Sequence, residues 1–128
     1  MTTETVLQLG SIGKQFTAAA ILKLQEQGRL RLSDSLRSHV PEAPESWSGI
    51  TLEHLVRQTS GIREYFTIEE WQRLSSELDR PAAELIGMIL RQPLTFETGS
   101  RWAYSNSNYT GRSSGRGRGP RPTRPSGC

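Results

Sequence analysis

Apolar positions recur along this chain mostly at helical spacing, with clear breaks between the repeats. From Ser11 to Gln27, Phe16, Ala20 and Leu24 recur at steps of four, and Ile12, Ala19, Ile21 and Leu22 widen the stripe. That period predicts a helix, and so broad an apolar face predicts that most of it is buried. Gly28 follows as a residue free to adopt positive φ and end the helix. The next stretch, RLRLSDSLRSHVPEAP, reads as an extended piece and a short helical turn, capped at Ser33 or Asp34 and stopped at Pro41 and Pro44. In GITLEHLVRQTSGI, Thr51 is placed to cap a short helix through Leu52, Leu55 and Val56, with Ser60-Gly61 as the break. Thr67 and Glu70 have capping-box spacing and predict a helix through Trp71, Leu74 and Leu78. Asp79 and Pro81 suit the first turn of another, running through Leu85, Ile86, Ile89 and Leu90 to Pro93. The following loop, LTFETGSRWAYSNSNY, carries Phe96, Trp102, Tyr104 and Tyr109, which predicts a packed surface. No strand-rich region and no glycine-rich phosphate loop interrupts this helical body.

Composition changes the picture at one end. The chain has 128 residues, enough for one domain, and only 34% of them are hydrophobic. Residues 111–128, GRSSGRGRGPRPTRPSGC, hold five arginines and no acidic, aromatic or aliphatic side chain. With no apolar area to bury, nothing offsets the entropy of ordering this segment, and it reads as a disordered Arg/Gly/Pro tail behind a body spanning residues 1–110. Removing those five arginines from the 16 Lys and Arg leaves 11, against 13 Asp and Glu, so the basic net charge belongs to the tail and the body is acidic. The only cysteine is the terminal Cys128, which rules out an intrachain disulfide and gives no support to zinc. MTTETVLQLG lacks the form of a signal peptide, and no stretch is apolar enough to span a bilayer, so the chain as written reads as soluble and cytoplasmic.

The candidate chemistry starts in GSIGKQFTAAA. Residues three apart on a helix share a face, with Cβ atoms about 5–6 Å apart, so the Lys14 amine can reach the Ser11 hydroxyl. A serine is a weak nucleophile until a neighbouring base takes its proton, and a lysine serves where burial or nearby positive charge lowers its pKa from about 10.4. The same pair also fits a plainer arrangement, with Ser11 as helix cap and Lys14 in solvent. Against that arrangement, a cation in the first turn opposes the helix dipole by about 0.3–1 kcal/mol, and a capping box would place Glu or Gln there. In YSNSNY, Tyr104 is a candidate general base, because a phenol beside a cationic lysine can share or lose its proton. Its alternative role is an aromatic packing anchor. Asn106 carries an amide that both donates and accepts, which suits orienting a substrate amide or the lysine.

Taken together, GSIGKQFTAAAILKLQEQGRLRL, ITLEHLVRQTSGI and FETGSRWAYSNSNY resemble the serine β-lactamase and penicillin-binding-protein superfamily in order and spacing. Within it they are most similar to the class C β-lactamases and their related esterases and D,D-peptidases. The resemblance implies an α+β fold of which this chain holds the helical part, mainly α as present here and lacking most of the antiparallel sheet. It implies Ser11 as the acylated nucleophile, Lys14 as its base partner, Tyr104 as the tyrosine of a Y-S/A-N motif, and Asn106 as that motif's substrate-binding asparagine. Gly99, Trp102, Ser60 and Gly61 fill structural positions. The implied partner is a small-molecule or peptide acyl substrate, namely a β-lactam, a D-Ala-D-Ala-like peptide or an ester. No cofactor and no metal is implied, and family members are often exported.

The chain departs from that pattern in one large respect. The family's third motif, K-T-G or H-x-G on a strand, has no counterpart: no lysine follows Lys23, no histidine follows His54, and only YTGR at 109–112 faintly resembles it. Gln58 stands where the family often has histidine, and Thr98 where it often has proline. The abrupt change to low complexity at 109–111 predicts a truncated, frame-shifted product with impaired or no activity; losing an oxyanion donor alone costs about 10²–10³ in rate. The competing reading is a non-catalytic helical interaction module whose basic tail binds nucleic acid nonspecifically. Its tail lacks aromatics to stack on bases and its body is acidic, so a nucleic-acid partner is not expected.

Overall fold

In a computed structural model that describes residues 10–74 and 82–110, five α-helices carry most of the regular structure. They are α1 (Gly13–Glu26), α2 (Leu36–His39), α3 (Leu52–Val56), α4 (Glu69–Leu74) and α5 (Ala82–Leu90). Short 3-10 turns at Gly10–Ile12, Glu45–Trp47, Tyr65–Thr67 and Asn106–Tyr109 link them. Among the described residues there is no strand, only one isolated antiparallel bridge between Ser35 and Thr51. The fold is thus mostly helical, as the apolar spacing predicts. The expected tail and domain boundary at 110/111 lie outside the described residues, as do Leu78, Asp79 and Pro81.

Local capping accounts for the short helices. The Thr51 hydroxyl accepts from the His54 backbone N–H at 3.4 Å, and His54 Nδ1 accepts from the Thr51 N–H at 3.1 Å. This is a capping box with histidine in the place usually taken by Glu or Gln. The cap of α2 is Ser35 rather than Ser33 or Asp34. Ser35 has extended backbone, and its hydroxyl accepts from the Arg37 N–H at 3.3 Å, whereas the Asp34 carboxylate accepts from the Arg31 N–H at 2.8 Å. The Thr67–Glu70 capping box does not form either. Thr67 sits inside the preceding 3-10 turn, where its hydroxyl donates to the Glu64 carbonyl at 2.7 Å, and α4 begins only at Glu69.

The core is built around Leu36, Trp47, Ile50, Ile62, Ile68 and Ile89, with Ile50 fully buried. These positions come from α2, α5 and the connections between helices, and Leu55 of α3 and Trp71 of α4 pack against them. Helix α1 behaves differently from the expectation of a mostly buried helix: none of its residues is buried, and Phe16 is 67% exposed. Its half-buried positions are Gly13, Lys14, Ala18, Ile21 and Leu24, so the helix turns this narrower stripe inward and leaves Phe16 and Ala20 outside. An apolar stripe is buried only where another element lies across it, and among the described residues none crosses that side of α1. The helix ends as predicted, with Gly28 at φ +69°.

The loop that follows α5 is stitched to the segment after α3. Thr95 N–H donates to the Gly61 carbonyl at 2.8 Å, Gly99 N–H to Thr59 at 2.8 Å, and Ala103 N–H to Gln58 at 3.0 Å. Gly61 permits this approach, since it holds φ +82° and a Cβ there would stand 2.3 Å from the Phe96 carbonyl oxygen. The aromatic loop is only partly the packed surface that was expected. Phe96 and Tyr109 are half-buried, whereas Trp102 is 66% exposed and Tyr104 45% exposed, because no described element covers them.

Candidate active site

Three short pieces of chain, far apart in sequence, meet at the amino-terminal end of α1. The 3-10 turn at Gly10–Ile12 presents Ser11, the first turn of α1 presents Lys14, and the loop entering Asn106–Tyr109 presents Tyr104 and Asn106. The Ser11 hydroxyl lies 2.8 Å from the Tyr104 hydroxyl, and Lys14 Nζ donates to Ser11 Oγ at 3.2 Å. Lys14 also donates to Asn106 Oδ1 at 2.7 Å, and the Tyr104 hydroxyl donates to the same oxygen at 3.2 Å. All four residues singled out in the sequence are brought together. Ser11 is not a helix cap: the N-cap of α1 is Ile12, which offers no side-chain bond, and the Ser11 hydroxyl instead engages Tyr104 and Lys14.

The electrostatics separate Tyr104 from the other tyrosines. The chain has three, at positions 65, 104 and 109. Burial is the main cause that pushes the Tyr65 and Tyr109 hydroxyls above the ordinary phenol value. Tyr104 moves the other way, held down first by the Lys14 amine beside it and next by its hydrogen bond with Ser11. Lys14 Nζ also stands 5.1 Å from the centroid of the Tyr104 ring and 6.0 Å from that of Tyr109. A phenol eased toward its anion, hydrogen-bonded to a serine hydroxyl and next to an ammonium, can accept the serine's proton.

Two residues that carried no catalytic signal in the sequence hold this arrangement in place. Gln58, at φ +61°, is buried under the loop, and its Oε1 accepts from the Ser105 N–H at 2.9 Å and from Asn108 Nδ2 at 2.5 Å. Glu64 Oε2 accepts from the Asn106 N–H at 2.6 Å and from Asn106 Nδ2 at 3.0 Å. Ser60 completes the base of the site, its hydroxyl donating to Asn108 Oδ1 at 2.5 Å, and Tyr109 donates to the Val56 carbonyl at 3.0 Å. Neither Gln58 nor Glu64 has a periodicity or spacing that marks it, since the loop donors that each accepts from lie more than forty residues away.

A hollow of about 600 Å³ opens beside Tyr104, between Arg63, Glu64, Phe96 and Tyr104. A second, more apolar cavity of about 310 Å³ is lined by Leu36, Trp47, Ile62 and Ile86 and reaches none of the four clustered residues. Among the described residues, no group of three or more His, Cys, Asp or Glu could hold a metal ion, and no helix is long and apolar enough to cross a membrane. Of YTGR, Tyr109 and Thr110 are described; the Thr110 hydroxyl donates to the Asn106 carbonyl at 3.1 Å.

Known proteins show the same relationship. The chain is 36% identical to protein flp of Staphylococcus aureus over 109 residues, which is 82% of this chain and 21% of flp. It is 30% identical to penicillin-binding protein 4* of Bacillus subtilis over 111 residues, covering 84% of this chain and 24% of that protein. The chain therefore spans about a fifth to a quarter of the length of these curated relatives. Among solved structures it is similar to a D-stereospecific amidohydrolase from Streptomyces sp., with a TM-score of 0.74 and 28% identity over 81% of this chain and 34% of that one. It is also similar to a penicillin-binding protein from Bacillus halodurans, with a TM-score of 0.63 and 27% identity over 76% of this chain and 31% of that one. The Beta-lactamase family model matches residues 1–112, a span that takes in every described residue, and this chain belongs to the beta-lactamase family.

Proposed function

We propose that this chain carries the acyl-transfer centre of a serine hydrolase, with Ser11 as nucleophile toward a β-lactam, a D-configured peptide amide or an ester. The observation that carries the reading is the 2.8 Å contact between the Ser11 and Tyr104 hydroxyls beside the Lys14 amine. Tyr104 takes the Ser11 proton as Oγ bonds to the substrate carbonyl carbon. The carbonyl π pair moves to oxygen and returns as the C–N or C–O bond breaks, and the leaving group departs with a proton. Water then adds to the Ser11 ester and releases the acid. Lys14, as ammonium, stabilises the phenolate and orients Oγ, while Asn106 Oδ1 holds the amine. Ser11 lies just ahead of α1, at the positive end of its dipole, which favours negative charge developing on the carbonyl oxygen. The similarity to a D-stereospecific amidohydrolase and to penicillin-binding proteins supports an amide or lactam among the substrates.

The test is acylation measured by intact mass after exposure to a chromogenic β-lactam and to a p-nitrophenyl ester. The expected result is one acyl group on the wild-type chain, acquired slowly because the K-T-G or H-x-G motif and its oxyanion donor have no counterpart in this sequence, and none on Ser11→Ala. A label that survives the substitution, or a folded wild type that takes no label, overturns the reading.

A further inference from the structure

Asn106 meets two charged groups of opposite chemistry, one at each end of its amide. Lys14 is donor-only and lies at 2.7 Å from Oδ1; an ionised Glu64 is acceptor-only and lies at 3.0 Å from Nδ2. Were the amide turned over, its NH₂ would face an ammonium and its oxygen a carboxylate, and both contacts would become repulsive. The carboxylate is itself anchored. Its Oε1 accepts from the Phe66 N–H at 3.3 Å, capping the turn at Tyr65–Thr67, and its Oε2 also accepts from the Asn106 backbone N–H at 2.6 Å. The group is half-buried, and it lies in a different stretch of chain from both Lys14 and Asn106.

We propose that Glu64 is a positioning residue for acyl transfer: it locks the Asn106 amide in the one orientation that holds Lys14 against Ser11. This rests on the reading of Ser11 as nucleophile, and it adds a residue to that centre. Glu64 touches neither Ser11 nor Lys14 directly through any hydrogen bond described above; its effect passes through the amide. Without it, Asn106 is free to rotate, the amine loses its strongest anchor, and Tyr104 loses the cation that eases its ionisation. The groups facing Tyr104 are Lys14 and Ser11 from the α1 end and Glu64 from the turn before Tyr65, with Tyr65 and Tyr109 on its flanks.

Two variants separate this role from a merely structural one. In Glu64→Gln, the amide oxygen can still accept from both Asn106 donors, while its NH₂ is turned toward the Phe66 N–H and loses that cap. Glu64→Ala removes both functions. Acylation by the chromogenic β-lactam is expected to fall only a few-fold in Glu64→Gln, and about 10²-fold in Glu64→Ala, the scale of loss from a misplaced catalytic group. A second readout does not need acylation. Phenolate absorbance titrated against pH should show the Tyr104 transition moving slightly down in Glu64→Gln, where a nearby negative charge is removed and Lys14 stays in place, and up toward the ordinary phenol value in Glu64→Ala, where the same charge is lost but the displaced Lys14, the largest influence on Tyr104, outweighs it. Equal acylation rates in wild type and Glu64→Ala, or a Tyr104 transition that moves the same way in both variants, overturn the proposal. If the wild type takes no label while the titrations split as stated, the nucleophile assignment fails and the positioning of Lys14 by Glu64 stands.

Discussion

Replacing Gln58 tests whether the loop that presents Tyr104 and Asn106 is held up by one buried side chain. The Gln58 oxygen accepts from the Ser105 N–H at 2.9 Å and from Asn108 Nδ2 at 2.5 Å, and all three residues are buried. Gln58→Ala leaves two buried donors without an acceptor, at about 1–3 kcal/mol each. The backbone adds a second, opposite effect. Gln58 holds φ +61°, a region that costs a residue with a Cβ about 1–2 kcal/mol and costs glycine nothing. Gln58→Gly therefore loses the same acceptor but relieves that strain. The expected order of stability is wild type, then Gln58→Gly, then Gln58→Ala, with about 1 kcal/mol between the two variants and about 2–6 kcal/mol between wild type and Ala. At an ordinary backbone position glycine is the worse of the two by about 0.5–1 kcal/mol, so the order itself is diagnostic. Urea unfolding followed by circular dichroism measures it, read from midpoints at constant slope. An alanine variant as stable as the glycine variant refutes the strain argument, and an alanine variant as stable as wild type refutes the buried-acceptor argument.

Two further outcomes follow from the tyrosines. Lys14→Met removes the first cause of the low Tyr104 value, so the Tyr104 transition should rise toward the ordinary phenol value of about 10, read by phenolate absorbance. Tyr109 is raised, so the folded state keeps its proton longer than the unfolded state does. Stability from this group is full below pH of about 10 and is lost as pH climbs past that value toward the raised folded pKa. Tyr109→Phe should therefore flatten the alkaline loss of stability while costing about 1–3 kcal/mol at neutral pH for the orphaned Val56 carbonyl, both measured by thermal melts across pH.

The helices were legible where a local rule governs them. Thr51 caps α3 because its hydroxyl reaches a backbone N–H three residues on, and Gly28 ends α1 because it needs no Cβ at positive φ. Local rules fail where several options compete. Ser33, Asp34 and Ser35 all carry an oxygen that can cap, and the choice fell to Ser35, which the bridge to Thr51 holds in extended backbone. Thr67 and Glu70 have the spacing of a capping box, but Glu64 claims the Thr67 hydroxyl for the turn before it. The broad stripe of α1 misled for a different reason: periodicity reports which side can be buried, while burial needs a partner across it.

For the site, the sequence by itself determined which chemistry was available: a serine and a lysine at one-turn spacing, and a tyrosine and an asparagine in a Y-S-N loop. Spacing within a helix is a short-range constraint, so Ser11 and Lys14 could be paired without a fold. Only the tertiary structure decided that Tyr104, 93 positions away, shares a hydrogen bond with Ser11 and has its hydroxyl pulled below those of Tyr65 and Tyr109. It also decided that Gln58 and Glu64 carry the loop and the asparagine. Their side chains are ordinary polar groups in sequence, and their importance comes from burial and from acceptors meeting donors across more than forty residues, which no local pattern encodes.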